Sequence, residues 1–149
     1  MWQTRIIASG QIKSGPMLDI QHGFLKRMSP PPQILEIPAH KLKPPKITES
    51  YIQGIEPANP VFILSETGQD LSSLEFKNKI EKYVSDLGQP VQFVIGPHDG
   101  LSKDVSNLGH EIIRFGKMTW PHLFFRLMLL EQIYRAQSIA YGHPYHRQS

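Results

Sequence analysis

Two short runs constrain this chain more than anything else in it: "PVFILS" (Pro60–Ser65) and "PVQFVIG" (Pro90–Gly96). A strand with one wet face alternates apolar and polar residues. A nearly unbroken apolar run suits a strand covered on both faces, which is typical of parallel sheets. "TRIIASG" (Thr4–Gly10), "QILEIPA" (Gln33–Ala39) and "HEIIRFG" (His110–Gly116) read as further strands, being β-branched or apolar and closed by turn residues. Between them lie segments of helical spacing. Met17, Ile20, Phe24 and Leu25 mark one, stopped by the prolines of "SPPPQ". Phe76, Ile80, Tyr83 and Val84 mark another, with Ser73 as the expected N-cap and Gly88 as the C-terminal cap.

"HKLKPPKITES" reads as a basic, proline-broken loop before a short helix at Thr48–Ile55, and "LSKDVSNLG" as another short helix. Strand and helix in alternation predict an α/β fold with a mostly parallel sheet. Such sheets bind ligands beyond the carboxyl ends of their strands, so the loops after "VFILS", "QFVIG" and "EIIRFG" are the places to look. The 149 residues suffice for one domain with its own core, so residues 1–149 are expected to form a single domain.

The last helix, from about His122 to Tyr141, is apolar around nearly its whole circumference. It is either sunk in its own core or shared with a second chain. In a small domain the second reading is favoured, which predicts a homodimer. Arg126, Glu131 and Arg135 make this stretch too polar to span a bilayer. "MWQTRIIASG" lacks the pattern of a signal peptide, so a cytoplasmic protein without membrane attachment is expected. The chain has no cysteine, which removes disulfides, thiolate ligands and thiol nucleophiles. Its formal charge of +3 permits a polyanionic partner without demanding one.

Three stretches can carry chemistry. In "VIGPHDGLS", Gly96 and Gly100 bracket a turn after a buried strand, either a structural turn or a place where backbone approaches a ligand. In "FGKMTWPH", Met118 and Trp120 are large apolar groups in a connection, able to wall a flat ligand or to plug the core. Pro121 suits the first helical turn. In "GHPYHRQS", His143 and His146 stand three apart, a spacing that metal sites use. No cysteine or neighbouring carboxylate completes the set, so no metal is expected. Without metal, histidine can accept a proton, Tyr145 can position one and Arg147 can grip a phosphate or an oxyanion. By spacing alone, the tail could equally be solvated and idle.

The stretches "FVIGPHDGLS" and "GKMTWPHLFFRLMLLEQIYRAQSIAYGHPYHR", and more weakly "ILEIPAHK" and "FILSETGQDLSSLEF", resemble the RlmH family of SPOUT-superfamily methyltransferases, in family order along nearly the whole chain. The resemblance implies an α/β fold whose C-terminal part threads a trefoil knot, S-adenosyl-L-methionine as cofactor, and a homodimer. It also implies methylation of N3 of a pseudouridine in 23S ribosomal RNA on the assembled ribosome. By position, Leu64, Gly96, Phe115, Gly116, Lys117, Met118, Thr119 and Trp120 would bind the cofactor. His143, Tyr145, His146 and Arg147 would face the substrate. Glu131 and Arg135 lie one turn apart on the helix before the tail, a spacing that predicts an ion pair orienting the tail's base. The clustering of these groups makes sense if the tail folds over a cofactor loop, in the protein alone or only with RNA or cofactor present. Gly96-Pro97 stands where the family has two adjacent glycines, and Ser65 where aspartate is common. Two other functions fit the same residues: a non-catalytic RNA- or ribosome-binding relative, and a SPOUT enzyme acting on transfer RNA.

Overall fold

A computed structural model describes residues 2–147, the side chain of Leu87 excepted; Met1, Gln148 and Ser149 lie outside the described residues. Five strands form one sheet: β1 (Thr4–Ser9), β2 (Gln33–Ile37), β3 (Val61–Asp70), β4 (Val91–Ile95) and β5 (Glu111–Arg114). Their spatial order is β2-β1-β4-β3-β5, and every pairing is parallel. The expected α/β class and parallel sheet are therefore present.

The apolar runs divide their residues between two cores with the period of two that a strand imposes. Ile6, Ala8, Phe62, Leu64, Phe93 and Ile95 face one side, where they pack with residues of α1 (Pro16–Arg27), α3 (Ser73–Leu87) and α5 (His122–Tyr141). Ile7, Ile63 and Val94 face the other, against Tyr51 of α2 (Pro44–Gly54) and Val105 of α4 (Lys103–Ser106). Phe62 and Phe93 meet edge to face at 5.3 Å in the middle of the sheet. Burying one such ring stabilises the fold by roughly 1.5–3 kcal/mol.

Several elements depart from the sequence reading, each for a local reason. The α2 helix begins at Pro44 rather than Thr48, because Pro44 and Pro45 occupy its first turn, where a missing amide costs nothing. "HKLKPPKITES" is thus mostly helical rather than a loop, after a 3-10 turn at Ala39–Lys41. The cap of α3 is Ser72, not Ser73: Ser72 accepts from the Glu75 amide and Glu75 from the Ser72 amide, a reciprocal capping box. Gly88 closes the helix in the left-handed conformation, as expected. Pro121 is the N-cap of α5, one place before the helix.

The largest departure is β3, which runs to Asp70 rather than ending at Ser65. Its pairing to β5 shifts register between Leu64 and Gln69, so that both lie opposite Ile113. The extra residues fit only because position 68 is glycine. A Cβ there would lie 2.4–2.6 Å from backbone atoms of Ile113.

The α5 helix is sunk chiefly into its own chain. Leu127, Leu129, Leu130, Ile133, Tyr134 and Ala136 are buried among residues of α1, α3 and the sheet. Its apolar circumference thus has partners within this chain, while Phe124 (48%) and Tyr141 (46%) remain exposed at its two ends.

Candidate active site

The carboxyl ends of β3, β4 and β5 lie side by side. Leu64 pairs with Ile95 on one side and Ile113 on the other, so the residues that follow them emerge at one edge. Gly96 stands at the end of β4. A Cβ there would come within 2.7 Å of the Leu101 side chain, so glycine lets the loop fold back tightly.

The segment Phe115–Trp120 follows β5 and is open to solvent. Met118 is 74% exposed and Trp120 38%, so neither plugs the core. The segment is tied at its base. The Phe115 ring stacks on Phe125 of α5 at 5.7 Å, and the Trp120 indole donates to the Phe115 carbonyl at 3.2 Å. The Thr119 hydroxyl reaches Glu66 at 3.2 Å, and Arg114 grips Asp70 through two bonds of 2.9 Å. That guanidinium holds the Asp70 carboxyl below its ordinary range. The extension of β3, which sequence reading missed, therefore anchors this loop. Gly116 takes φ +85°, a conformation that strains other residues.

These residues offer backbone polar groups, exposed apolar walls at Met118 and Trp120, and little charge besides Lys117. That set suits a flat heterocycle with polar edges.

Within one chain the tail folds back along the second half of α5 rather than over the loops at Gly96 and Phe115–Trp120. The Tyr145 hydroxyl donates to Glu131 at 3.0 Å, and its ring lies 4.5 Å from that of Tyr134. Arg135 pairs with Glu131, stacks over the Tyr145 ring at 4.9 Å, and approaches Nδ1 of His146 at 3.1 Å. The expected Glu131–Arg135 ion pair is present, and it holds two tail residues at once. The backbone amide of His143 donates to the Ser138 carbonyl at 2.8 Å after Gly142, a left-handed cap.

These contacts give the tail groups different capacities. Burial, and then the Glu131 carboxylate, raise the pKa of Tyr145, so the phenol stays protonated as a donor. A guanidinium only donates, so Nδ1 of His146 accepts from Arg135 and its Nε2 carries the hydrogen. The exposed His143 ring makes no side-chain hydrogen bond among the described residues, and Arg147 is exposed.

The loops and the tail sit at opposite ends of one helix. From His122 to Glu131 the axial rise is about 13 Å, and the tail's other contacts lie further on.

A third group escaped sequence reading. Arg126, wholly buried, donates to Glu36 at 2.6 Å and to the Ser9 and Gly10 carbonyls at 3.2 and 3.0 Å. One turn before it, the His122 ring packs against Gly10. Burial, then the charges of Arg126 and His98, lower the pKa of His122 and keep it neutral near pH 7. The only sequence signal was an arginine inside an apolar helix, which marks a buried partner rather than naming one. Among the described residues no group of three or more His, Asp or Glu could hold a metal ion, and no helix is long and apolar enough to cross a membrane.

Comparison with known proteins agrees with this arrangement. The family model described as "Predicted SPOUT methyltransferase" matches residues 2–146. A "Ribosomal RNA large subunit methyltransferase H" of Paramagnetospirillum magneticum is 35% identical over 147 residues, covering 95% of this chain and 97% of the relative. Proteins of the same name from Rhizorhabdus wittichii (37% over 144 residues, 96% of each) and Sphingopyxis alaskensis (36% over 143 residues, 96% and 95%) match equally broadly. With its parallel sheet, its loops gathered at the ends of β3, β4 and β5, and a family match over nearly its full length, the chain belongs to the SPOUT methyltransferase family.

Proposed function

We propose that this protein transfers a methyl group from S-adenosylmethionine to N3 of a pseudouridine in 23S ribosomal RNA, acting on the assembled ribosome in the cytoplasm. The single domain would work as a homodimer without metal, its C-terminal part threaded as a trefoil knot. The curated relatives' names support a ribosomal RNA substrate.

The observation that carries the reading is the division of α5. Its N-terminal end bears the open loop, and its C-terminal half bears an ordered tail of His143, Tyr145, His146 and Arg147. A site needs both. In one chain about 13 Å of helix and more separates them, so a partner's tail would complete the site, with the exposed Phe124 as contact surface beside the loop.

Leu64, Gly96 and Phe115–Trp120 would hold the cofactor, through main-chain groups at the strand ends and the side chains of Met118 and Trp120. When bound, the cofactor supplies an electrophilic methyl on a sulfonium; orientation comes from the protein. The acceptor imide must lose its N3 proton, and charge then spreads onto two flanking carbonyls. His143, whose ring is exposed, takes that proton. His146 at Nε2 and Arg147 present donors to the developing charge or to phosphate, and Tyr145, its hydroxyl spent on Glu131, holds the tail in position.

Calorimetric titration with S-adenosylmethionine, followed by methyl mapping on ribosomal RNA from cells lacking the protein, tests the reading. Cofactor binding, together with loss of one N3-methylpseudouridine in the large subunit, is expected. No cofactor binding would leave the non-catalytic alternative, and a missing methyl on transfer RNA would redirect the enzyme.

A further inference from the structure

The last turn of α1 brings one more cation to the tail. Arg27 is exposed, and its Nε donates to the Gly23 carbonyl at 3.1 Å, which holds one edge of the guanidinium in place. The guanidinium carbon lies 4.9 Å from the centre of the Phe24 ring and 5.3 Å from that of Tyr134. Tyr134 is the residue on which the tail rests. Its ring is 4.5 Å from that of Tyr145 and 6.4 Å from that of His143. The charge of Arg27 also reaches the Tyr145 phenol, where it opposes the upward pull of burial and Glu131. Arg27 therefore stands beside the groups proposed to meet the substrate, although it comes from the other end of the chain.

No carboxylate of the described residues pairs with Arg27, and its Nη atoms meet no acceptor among them. The cluster's own carboxylate is spent, since Glu131 accepts from Arg135, Gln132 and Tyr145. An arginine stacked on two aromatic faces and bonded at Nε keeps a directed fork with little freedom left to lose on binding. Such a fork matches two oxygens of a phosphate. We propose that Arg27 is a further substrate-binding residue, holding a backbone phosphate beside the acceptor nucleotide through its Nη atoms while the tail meets the base. The inference rests on the methyltransferase reading above. A phosphate carries the same charge before and during methyl transfer, so the contact strengthens RNA binding and leaves the chemical step alone. A mere cover for Phe24 and Tyr134 would need only the aliphatic stem of the side chain.

Two substitutions separate stem, charge and fork. Arg27→Met keeps the stem, and Arg27→Lys keeps the charge without the fork. Each full-length variant is checked by thermal melting and by calorimetry with S-adenosylmethionine. Single-turnover methylation is then followed against the concentration of ribosomes from cells lacking the protein, at several salt concentrations. For Arg27→Met, the half-saturating ribosome concentration should rise about tenfold, with the maximal rate and cofactor affinity within about twofold of the parent. The salt dependence of half-saturation should become shallower by about one ion, and Arg27→Lys should restore it at an affinity about threefold below the parent. Unchanged half-saturation and salt dependence overturn the proposal. A lower maximal rate at unchanged half-saturation overturns it as well, and would place Arg27 at the developing charge. A parent that co-sediments with ribosomes yet transfers no methyl would sink the methyltransferase reading. In that case a weaker salt dependence of co-sedimentation in Arg27→Met leaves the phosphate contact standing, and an equal one overturns it.

Discussion

The two ends of α5 are built in opposite ways. At the N-terminal end, Gly116–Trp120 lies open, with Met118 almost wholly in solvent and anchors only at the base of the loop. At the C-terminal end, the tail is tied down by Glu131, Tyr134 and Arg135. An open loop can close around a ligand, because little must be broken to move it. A pinned tail can present donors without paying to order them. On the proposed roles, the loop would close around the cofactor and the tail would stand preorganised for the substrate.

Removing Tyr145–Ser149 should break the substrate side alone. Single-turnover methylation is expected to fall about a hundredfold or more, the scale of lost oxyanion donors, while cofactor affinity changes little. Loss of the folded dimer would mean that the tail is structural. Gly68→Ala attacks the other side through its anchor. The added methyl collides with the Ile113 backbone, so about 2–3 kcal/mol of stability should go, with weaker cofactor binding, in melting and titration experiments. Glu131→Gln loosens the tail without removing it. About 2 kcal/mol of hydrogen bonding to charge is at stake, so turnover should drop roughly thirtyfold with cofactor affinity unchanged.

Met118→Ala should leave stability within about 0.5 kcal/mol, since the side chain is exposed, yet weaken S-adenosylmethionine about fivefold. The smallest effect concerns pH. The pKa of His122 is lowered in the folded chain from the ordinary 6.5, so the unfolded chain binds that proton first as pH falls. Its contribution to stability is complete above about pH 6.5 and is lost as pH falls through the lower folded value. Chemical denaturation from pH 7.5 to 5 should show the decline, and His122→Asn should flatten it.

The sheet was legible because buried parallel strands write themselves as unbroken apolar runs, and the end of α3 because Gly88 carries its left-handed cap. The β3 extension was not. "SETGQD" is polar, and only the close approach of Ile113 explains its pairing and its glycine. The tail residues could be named from resemblance and chemistry, but where they fold depended on long-range pairs such as Tyr145 with Glu131. The place of Arg27 left still less trace. It is one basic residue in the last turn of α1, and only the packing of α1 on α5 sets it over Tyr134.

The central claim is that the loop of one subunit and the tail of another make one site. It is tested by mixing two inactive proteins: the Tyr145–Ser149 deletion, and Gly116→Val, whose loop the φ of +85° should strain. Each alone should fail to methylate ribosomes. Random reassortment into mixed dimers gives one intact site in half of them, so about a quarter of the parent's activity should return. A mixture as inactive as its components, with mixed dimers demonstrably formed, would contradict the account.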